Sequence, residues 1–302
     1  MISSLQDLVA PLSEAEFLTR VRNRTVSYLP GAGARHFETL LDWDDLNHLI
    51  ESGHYPFERL GVLGDSFSVV RTLHLKDGRI DHIAFCSVLD HGANLILHQL
   101  NEYFPRLWKL CRRIADKMGE LVSAEAAVTT IKGVLPARFQ KNDTCVLHIA
   151  GSKRWQLLGP PIVNPVKSML DQPAPQTATP VFDQELHPGD LMFVPAGYWH
   201  RCENGPARSL HLSILFEPPY GRDVVALLAN QLVSDATFKQ PLTRYPDASA
   251  LAEYEAALKS RIIDQVQQWS LASFLAERAA RSQEGRIHIE GTNSRQDGGN
   301  HN

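Results

Sequence analysis

A basic excess, paired cysteines and long apolar runs are all missing from this chain, and each absence removes a class of function. Lysine and arginine number 30 against 34 aspartates and glutamates, a formal net charge of −4. Such a balance gives no long-range attraction for phosphate backbones or anionic membranes, so nucleic acid is excluded as a partner. No apolar stretch reaches the ~20 residues that cross a bilayer. The opening segment MISSLQDLVAPLSEAEF lacks a basic n-region followed by an apolar core, so no secretory signal is expected there. The four cysteines, Cys86, Cys111, Cys145 and Cys202, form no CxxC pair. That argues against a zinc knuckle or a disulfide framework, fits a reducing cytoplasm, and leaves them as small buried apolar residues. A nucleophile-elbow sequence is absent too, which removes Ser/His/Asp hydrolysis.

What is present is an ordinary globular composition, 43% hydrophobic and 21% charged over 302 residues, enough for one large domain or for a domain with a smaller partner. Ser13 and Glu16 form a capping-box pattern opening a helix that runs through about Arg22. WDDLNHLIES, with Leu46, Leu49 and Ile50 on one face, reads as a second amphipathic helix. Strands are expected in SFSVVRTLHL and RIDHIAFCSVL around a KDG turn. A helix follows over about 103–118, closed by Gly119. AEAAVTTI, FQKNDTCVLHIAG and KRWQLLG read as strands, and residues 160–180 as a proline-rich loop. LHPGDLMFVPAGYWHRCEN reads as strand, tight turn and strand, and SLHLSILFEPP as a last buried strand. After Pro219 the pattern becomes amphipathic helices, with Ser270 capping the last, and residues 285–302 form a polar tail. Many strands followed by helices indicate a β-barrel with a helical appendage.

The segment PGDLMFVPAGYWH…SLHLSI resembles the second half of JmjC and cupin-type barrels. GANLILHQLNEYFPRLWKLCRRIADKMG and NDTCVLHIAGSKRW are similar to the JmjC Fe(II)/2-oxoglutarate oxygenases of the bacterial ribosomal-protein-hydroxylase type. The resemblance covers roughly residues 5–280. It implies a mainly β fold with α, a double-stranded β-helix with N-terminal helices and a C-terminal helical dimerisation region. The expected division is a barrel domain over 1–220, a helical dimerisation region over 221–284 and the tail over 285–302.

The resemblance also implies a metal site, and the chain departs from it. The family pattern supplies two ligands from a His-x-Asp on one strand and a third from the His of PxGxWH, a facial triad leaving positions open for 2-oxoglutarate and O₂. The corresponding positions here are Arg138, Gln140 and His200. Arginine does not deprotonate in proteins and cannot coordinate a cation, and glutamine is a neutral, weak ligand. On one regular strand Asp143 has the wrong parity to replace Gln140, and His148 lies about 25 Å from it at ~3.3 Å per residue. A bulge near Lys141 and Asn142 would alter the parity. Lys153 matches the family's basic residue for the distal carboxylate of 2-oxoglutarate. With Arg138 it makes a pocket suited to an anion, which Ser209 and His211 would also face. In the opposed reading Arg138 pairs internally with an acid and plugs the barrel. Trp155 and Trp199 flank these positions as barrel packing.

These residues lead to an expected pseudo-oxygenase of the cytoplasm, with no catalytic residue, no metal and no cofactor. It would act as a homodimeric peptide- or protein-binding adaptor, in peptide modification or ribosomal peptide natural-product biosynthesis. The alternative is an active 2-oxoglutarate-dependent hydroxylase whose Fe(II) is held by an unusual set including His200, and a third reading is a small-anion sensor using Arg138 and Lys153.

Overall fold

The computed structural model describes residues 2–31, 36–63, 75–76, 79–130, 134–170, 172–174, 179–242 and 247–284. The chain divides into two compact units, Met1–Pro218 and Pro219–Asn302. The expected strand SFSVVRTLHL falls largely outside the described residues, as does the tail 285–302.

The first unit begins with α1 (Leu5–Val9) and α2 (Glu14–Arg22), each opened by a reciprocal capping box, Ser4 with Asp7 and Ser13 with Glu16. Such boxes satisfy amide groups that the first helical turn leaves without intrahelical partners. Strand β1 (Ser27–Leu29) and helix α3 (Trp43–Glu51) follow, with Asp42 capping α3. Then come β2 (Leu60–Leu63) and a short hairpin of β3 (Leu75–Lys76) and β4 (Arg79–Ile80).

RIDHIAFCSVL is not a strand. After Ile80 it forms helix α4 (His82–Asp90), because the Asp81 side chain caps the Ala84 amide. Strand β5 (Asn94–Leu97) leads to α5 (Pro105–Met118), whose proline sits at N1 and whose C-cap is Gly119 in the left-handed region.

The barrel strands are β6 (Leu121–Thr129), β7 (Val134–Phe139), β8 (Asp143–Ala150), β9 (Lys153–Leu158), β10 (Pro180–Leu186), β11 (Leu191–Val194), β12 (Trp199–Asn204) and β13 (Ser209–Glu217). They build a seven-stranded sheet, β1-β11-β8-β13-β6-β5-β2, and a four-stranded sheet, β10-β9-β12-β7. All these pairings are antiparallel. This is a mainly β fold with α, its strands arranged in two antiparallel sheets.

FQKNDTCVLHIAG is therefore two strands in different sheets. Phe139 ends β7 and Asp143 starts β8, so neither the parity assigned to Asp143 nor the 25 Å assigned to His148 holds.

The period of two along each strand separates the sheet's faces. On β13, Leu210, Leu212, Ile214 and Phe216 join the main apolar core with Leu46, Ile50, Leu107 and Ile114 of the helices. Ser209, His211 and Ser213 alternate with them and are also buried. On β8, Cys145, Leu147 and Ile149 join that same core, while Val146 packs in a separate cluster with Trp155, Leu157, Met192 and Cys202. Buried apolar area, at about 25 cal/mol per Å², makes the outer face the principal source of stability. The inner face carries the buried polar residues of β8 and β13 beside this second apolar cluster. Cys111, Cys145 and Cys202 are buried, whereas Cys86 is exposed.

The second unit holds α6 (Gly221–Val233), α7 (Ala248–Gln268) and α8 (Leu271–Glu284). Tyr254 donates to the Thr237 carbonyl at 2.7 Å, and Arg278 pairs with Asp223. Val225, Val233, Ile263, Val266 and Leu271 are each more than half exposed.

Candidate functional site

The site is set by the turn Pro195–Gly197. Gly197 has φ +90°, and a Cβ there would lie 2.1 Å from the Ile162 carbonyl oxygen, so this close approach requires glycine. The Gly197 amide donates to the Gln140 carbonyl and its own carbonyl accepts from Ile162, both at 2.9 Å. Asp143 completes the clamp, accepting from the Ala196 amide at 2.7 Å. The carboxylate weighed as a substitute ligand is thus occupied in holding the turn. Beyond it, β12 brings His200 opposite Arg138 of β7.

Arg138 and His200 meet directly. The Arg138 Nε donates to His200 Nε2 at 3.3 Å. That imidazole is buried against Trp155, with ring centroids 5.4 Å apart. Burial, then the Arg138 charge, pushes His200 down to about 3, so it is neutral near pH 7. Gln140 accepts from Thr144 Oγ1 at 2.7 Å and lines a cavity of about 10 Å³ with Thr144, Trp155 and His200. Such a space suits a single water.

Lys153 is fully buried on β9, its ammonium donating to Thr129 Oγ1. Burial draws it down to about 8, so it remains mostly charged at neutral pH. Burial likewise lowers Arg138, which stays cationic. Among the described residues neither cation makes an ion pair with a carboxylate, so the internal pairing of Arg138 with an acid is not found.

Around them lie buried polar atoms without a hydrogen-bond partner among the described residues: His148 Nδ1, Trp155 Nε1, Ser209 Oγ and His211 Nδ1. His211 packs against Trp155 at 5.4 Å and is opposite His148 in the β13–β8 register. Burial pushes His148 down to about 4 and holds His211 well below the usual imidazole range. Trp199 points elsewhere, into a cluster with Phe139 and Leu158.

Sequence reasoning passed over one pair. His98 Nδ1 and Glu125 Oε2 are 2.8 Å apart, and Glu125 lies on the same face of β6 as Thr129. The alternation along β6 was the available signal, but the partner, His98 just beyond β5, is not legible from local pattern.

The arrangement separates two chemistries. Among the described residues no group of three His, Cys, Asp or Glu side chains could hold a metal ion. At the triad positions a guanidinium blocks the one imidazole, so Arg138, Gln140 and His200 do not fit a Fe(II) facial triad. An anion fits better. Uncompensated buried charge costs several kcal/mol, and the orphaned hydroxyl and ring nitrogens offer further contacts.

Residues 96–224 match the family model for the JmjC domain. Ribosomal oxygenase 2 of Mus musculus is 27% identical over 185 residues, covering 60% of this chain and 39% of that protein. The bifunctional lysine-specific demethylase and histidyl-hydroxylase NO66 of Drosophila persimilis is 23% identical over 215 residues, 70% of this chain and 31% of that protein. The chain therefore spans about two-fifths or less of the length of these curated relatives. The ribosomal oxygenase YcfD from Escherichia coli, in complex with cobalt and 2-oxoglutarate, shares the fold. Its TM-score is 0.52 at 16% identity, covering 85% of this chain and 68% of that one. This finding overturns the expectation of no cofactor for the chain: a protein of the same fold carries both a metal and 2-oxoglutarate. His148, His200 and His211 are buried in this chain.

Proposed function

We propose, for a chain whose residues 96–224 form a JmjC domain homologous to the ribosomal oxygenases, that the barrel binds a dicarboxylate of the 2-oxoglutarate class and that this ligand governs binding of a polypeptide. The observation that carries the reading is the pair of cations. Lys153, fully buried, and Arg138, half-buried, line the barrel without an ion-paired carboxylate among the described residues, beside Ser209 Oγ and His211 Nδ1, which lack hydrogen-bond partners there. Lys153 would hold one carboxylate and Arg138 the other through charge-assisted hydrogen bonds. The cavity of about 10 Å³ is too small for such a ligand. Entry therefore requires Arg138 to leave His200, and that displacement couples ligand to barrel mouth.

In this reading the iron triad is replaced and the protein is an adaptor that presents a peptide to a modifying enzyme. A peptide-modification setting, including ribosomal peptide natural-product biosynthesis, suits such a role. The exposed apolar residues of the helices after residue 220 support assembly as a homodimer. The related proteins' names include ribosomal oxygenase and histidyl-hydroxylase, which supports a protein or peptide as the partner.

Titration calorimetry with 2-oxoglutarate and succinate tests the reading. Binding that is lost in both Lys153→Met and Arg138→Met supports it, and absence of heat in the wild type removes it.

One observation favours a second reading, a 2-oxoglutarate-dependent hydroxylase with an unusual metal set. His200 is held neutral, the protonation state in which imidazole coordinates, although among the described residues no three ligands gather around it. Metal-dependent conversion of 2-oxoglutarate to succinate, lost in His200→Ala, would establish it over the adaptor.

A further inference from the structure

A second cavity lies on the other face of the seven-stranded sheet. It measures about 620 Å³, and its floor is Leu97 of β5 and Val128 of β6. In the β5–β6 register Leu95 faces Val128 and Leu97 faces Ala126, and all four belong to the main core. The adjacent residue Thr129 points the other way, to Lys153 inside the barrel. The sheet itself therefore separates this cavity from the site described above.

Its walls come from two helices. Trp43, Leu46 and Ile50 of α3 form one side, and Phe85 and Leu89 of α4 the other. The rim is polar and exposed: Asn47, Cys86 and Arg208. Arg208 is the single cation among the described lining residues, and its Nη2 is bonded to the Asp90 carboxylate.

A space of this size beside a packed core forfeits dispersion contacts along its whole lining. Concave sites of about 300–1,000 Å³ with apolar walls and a few polar groups at one end are the usual form of small-molecule sites. The chemistry of the lining then selects the occupant. A chamber of aromatic and aliphatic side chains takes a hydrocarbon body, and a rim guanidinium takes a carboxylate. Asp90 already pairs with one Nη of that guanidinium, so a ligand carboxylate would take its remaining N–H groups or displace Asp90.

We propose that this cavity binds an amphipathic monocarboxylate of the medium-chain fatty-acid class, with its chain against Trp43, Phe85 and Val128 and its carboxylate on Arg208. Nothing in this assignment depends on the barrel ligand, and the two sites are separable by experiment.

Dodecanoate, kept below its micelle concentration, is the probe. Calorimetry should give saturable binding, and Cys86 at the rim should react with iodoacetamide at least tenfold more slowly in its presence. Arg208→Ala should weaken dodecanoate about tenfold, the loss expected for one hydrogen bond to a charged group, and leave dodecanol unchanged. Asn47→Trp, an exposed helical position, should block the mouth and abolish binding with an unaltered circular dichroism spectrum. Ala207→Trp serves the same purpose from the opposite loop. Unchanged Cys86 alkylation together with no binding heat would overturn the site. Dodecanol binding as tightly as dodecanoate, or displacement of neither by the two tryptophan variants, would overturn the carboxylate assignment and the location respectively.

Discussion

Replacing Lys153 with methionine should make the ligand-free protein more stable. The lysine is fully buried, hydrogen-bonded to Thr129, and without an ion pair among the described residues. Its lowering from 10.5 to about 8 corresponds to about 3 kcal/mol at 1.36 kcal/mol per pH unit. A base whose pKa is lower in the folded state destabilises the fold fully below that folded value, where both states are protonated. Between about pH 8 and 10.5 the unfolded chain binds the extra proton, so this lysine makes stability rise with pH. Lys153→Met abolishes that slope. It also removes one hydrogen bond worth about 1 kcal/mol, leaving a net gain of about 2 kcal/mol at pH 7. For a chain of this size the melting temperature should rise by several degrees. Thermal melts of wild type and variant at pH 7, 8, 9 and 10 provide the assay, each with and without succinate. At a hundredfold excess over its dissociation constant a ligand adds about 2.7 kcal/mol, and it should do so in the wild type alone. A Lys153→Met protein that melts lower than wild type at pH 7, or keeps the alkaline slope, would refute the argument that this charge is uncompensated.

The double change Arg138→His/Gln140→Asp should create a competent triad with His200, read as stoichiometric cobalt uptake by absorption spectroscopy, with neither single variant sufficient. Acid should destabilise the protein steeply, because His148, His200 and His211 resist protonation when folded while unfolded imidazoles bind protons below about 6.5. Near pH 5 His148 and His200 together contribute about 3 kcal/mol per pH unit, with stability falling as pH falls, measurable by urea midpoints; His211 acts in the same direction, so His211→Asn should make the slope shallower. Gly197→Ala should cost several kcal/mol and displace His200, since its Cβ would collide with the Ile162 carbonyl, and a calorimetric melting temperature reads this directly. Light scattering should find the homodimer proposed above in the wild type and a monomer in Ile263→Glu/Leu271→Glu; a wild-type monomer would remove that proposal.

The barrel was legible because two signals are local and physical. The strand period exposes β8 and β13, and the glycine at 197 marks a turn that no other residue closes so tightly. Helix α4 was misread because its nine residues are apolar on most sides, and only Asp81 as cap distinguishes it from a buried strand. The β7–β8 break at 140–142 was missed for a related reason: Lys141, Asn142 and Asp143 carry neither glycine nor proline. The positions Arg138, Gln140 and His200 came from a family pattern, yet their contacts did not. That Arg138 bonds to His200, and that Asp143 grips the turn, depend on strands joined across the sheet. The cavity beneath α3 and α4 is likewise a product of packing among segments more than 150 residues apart in the chain, from Trp43 to Arg208.

The alternation along β13 has a consequence for how this scaffold tolerates change. Its even-numbered residues 210–216 are welded into the main core with the helices, while residues 209, 211 and 213 turn into the barrel, where His211 packs on Trp155. Foundations and tenancy are thus assigned to opposite sides of the same ribbon. An interior can be refitted, guanidinium for imidazole, while the larger core on the helix side keeps its contacts.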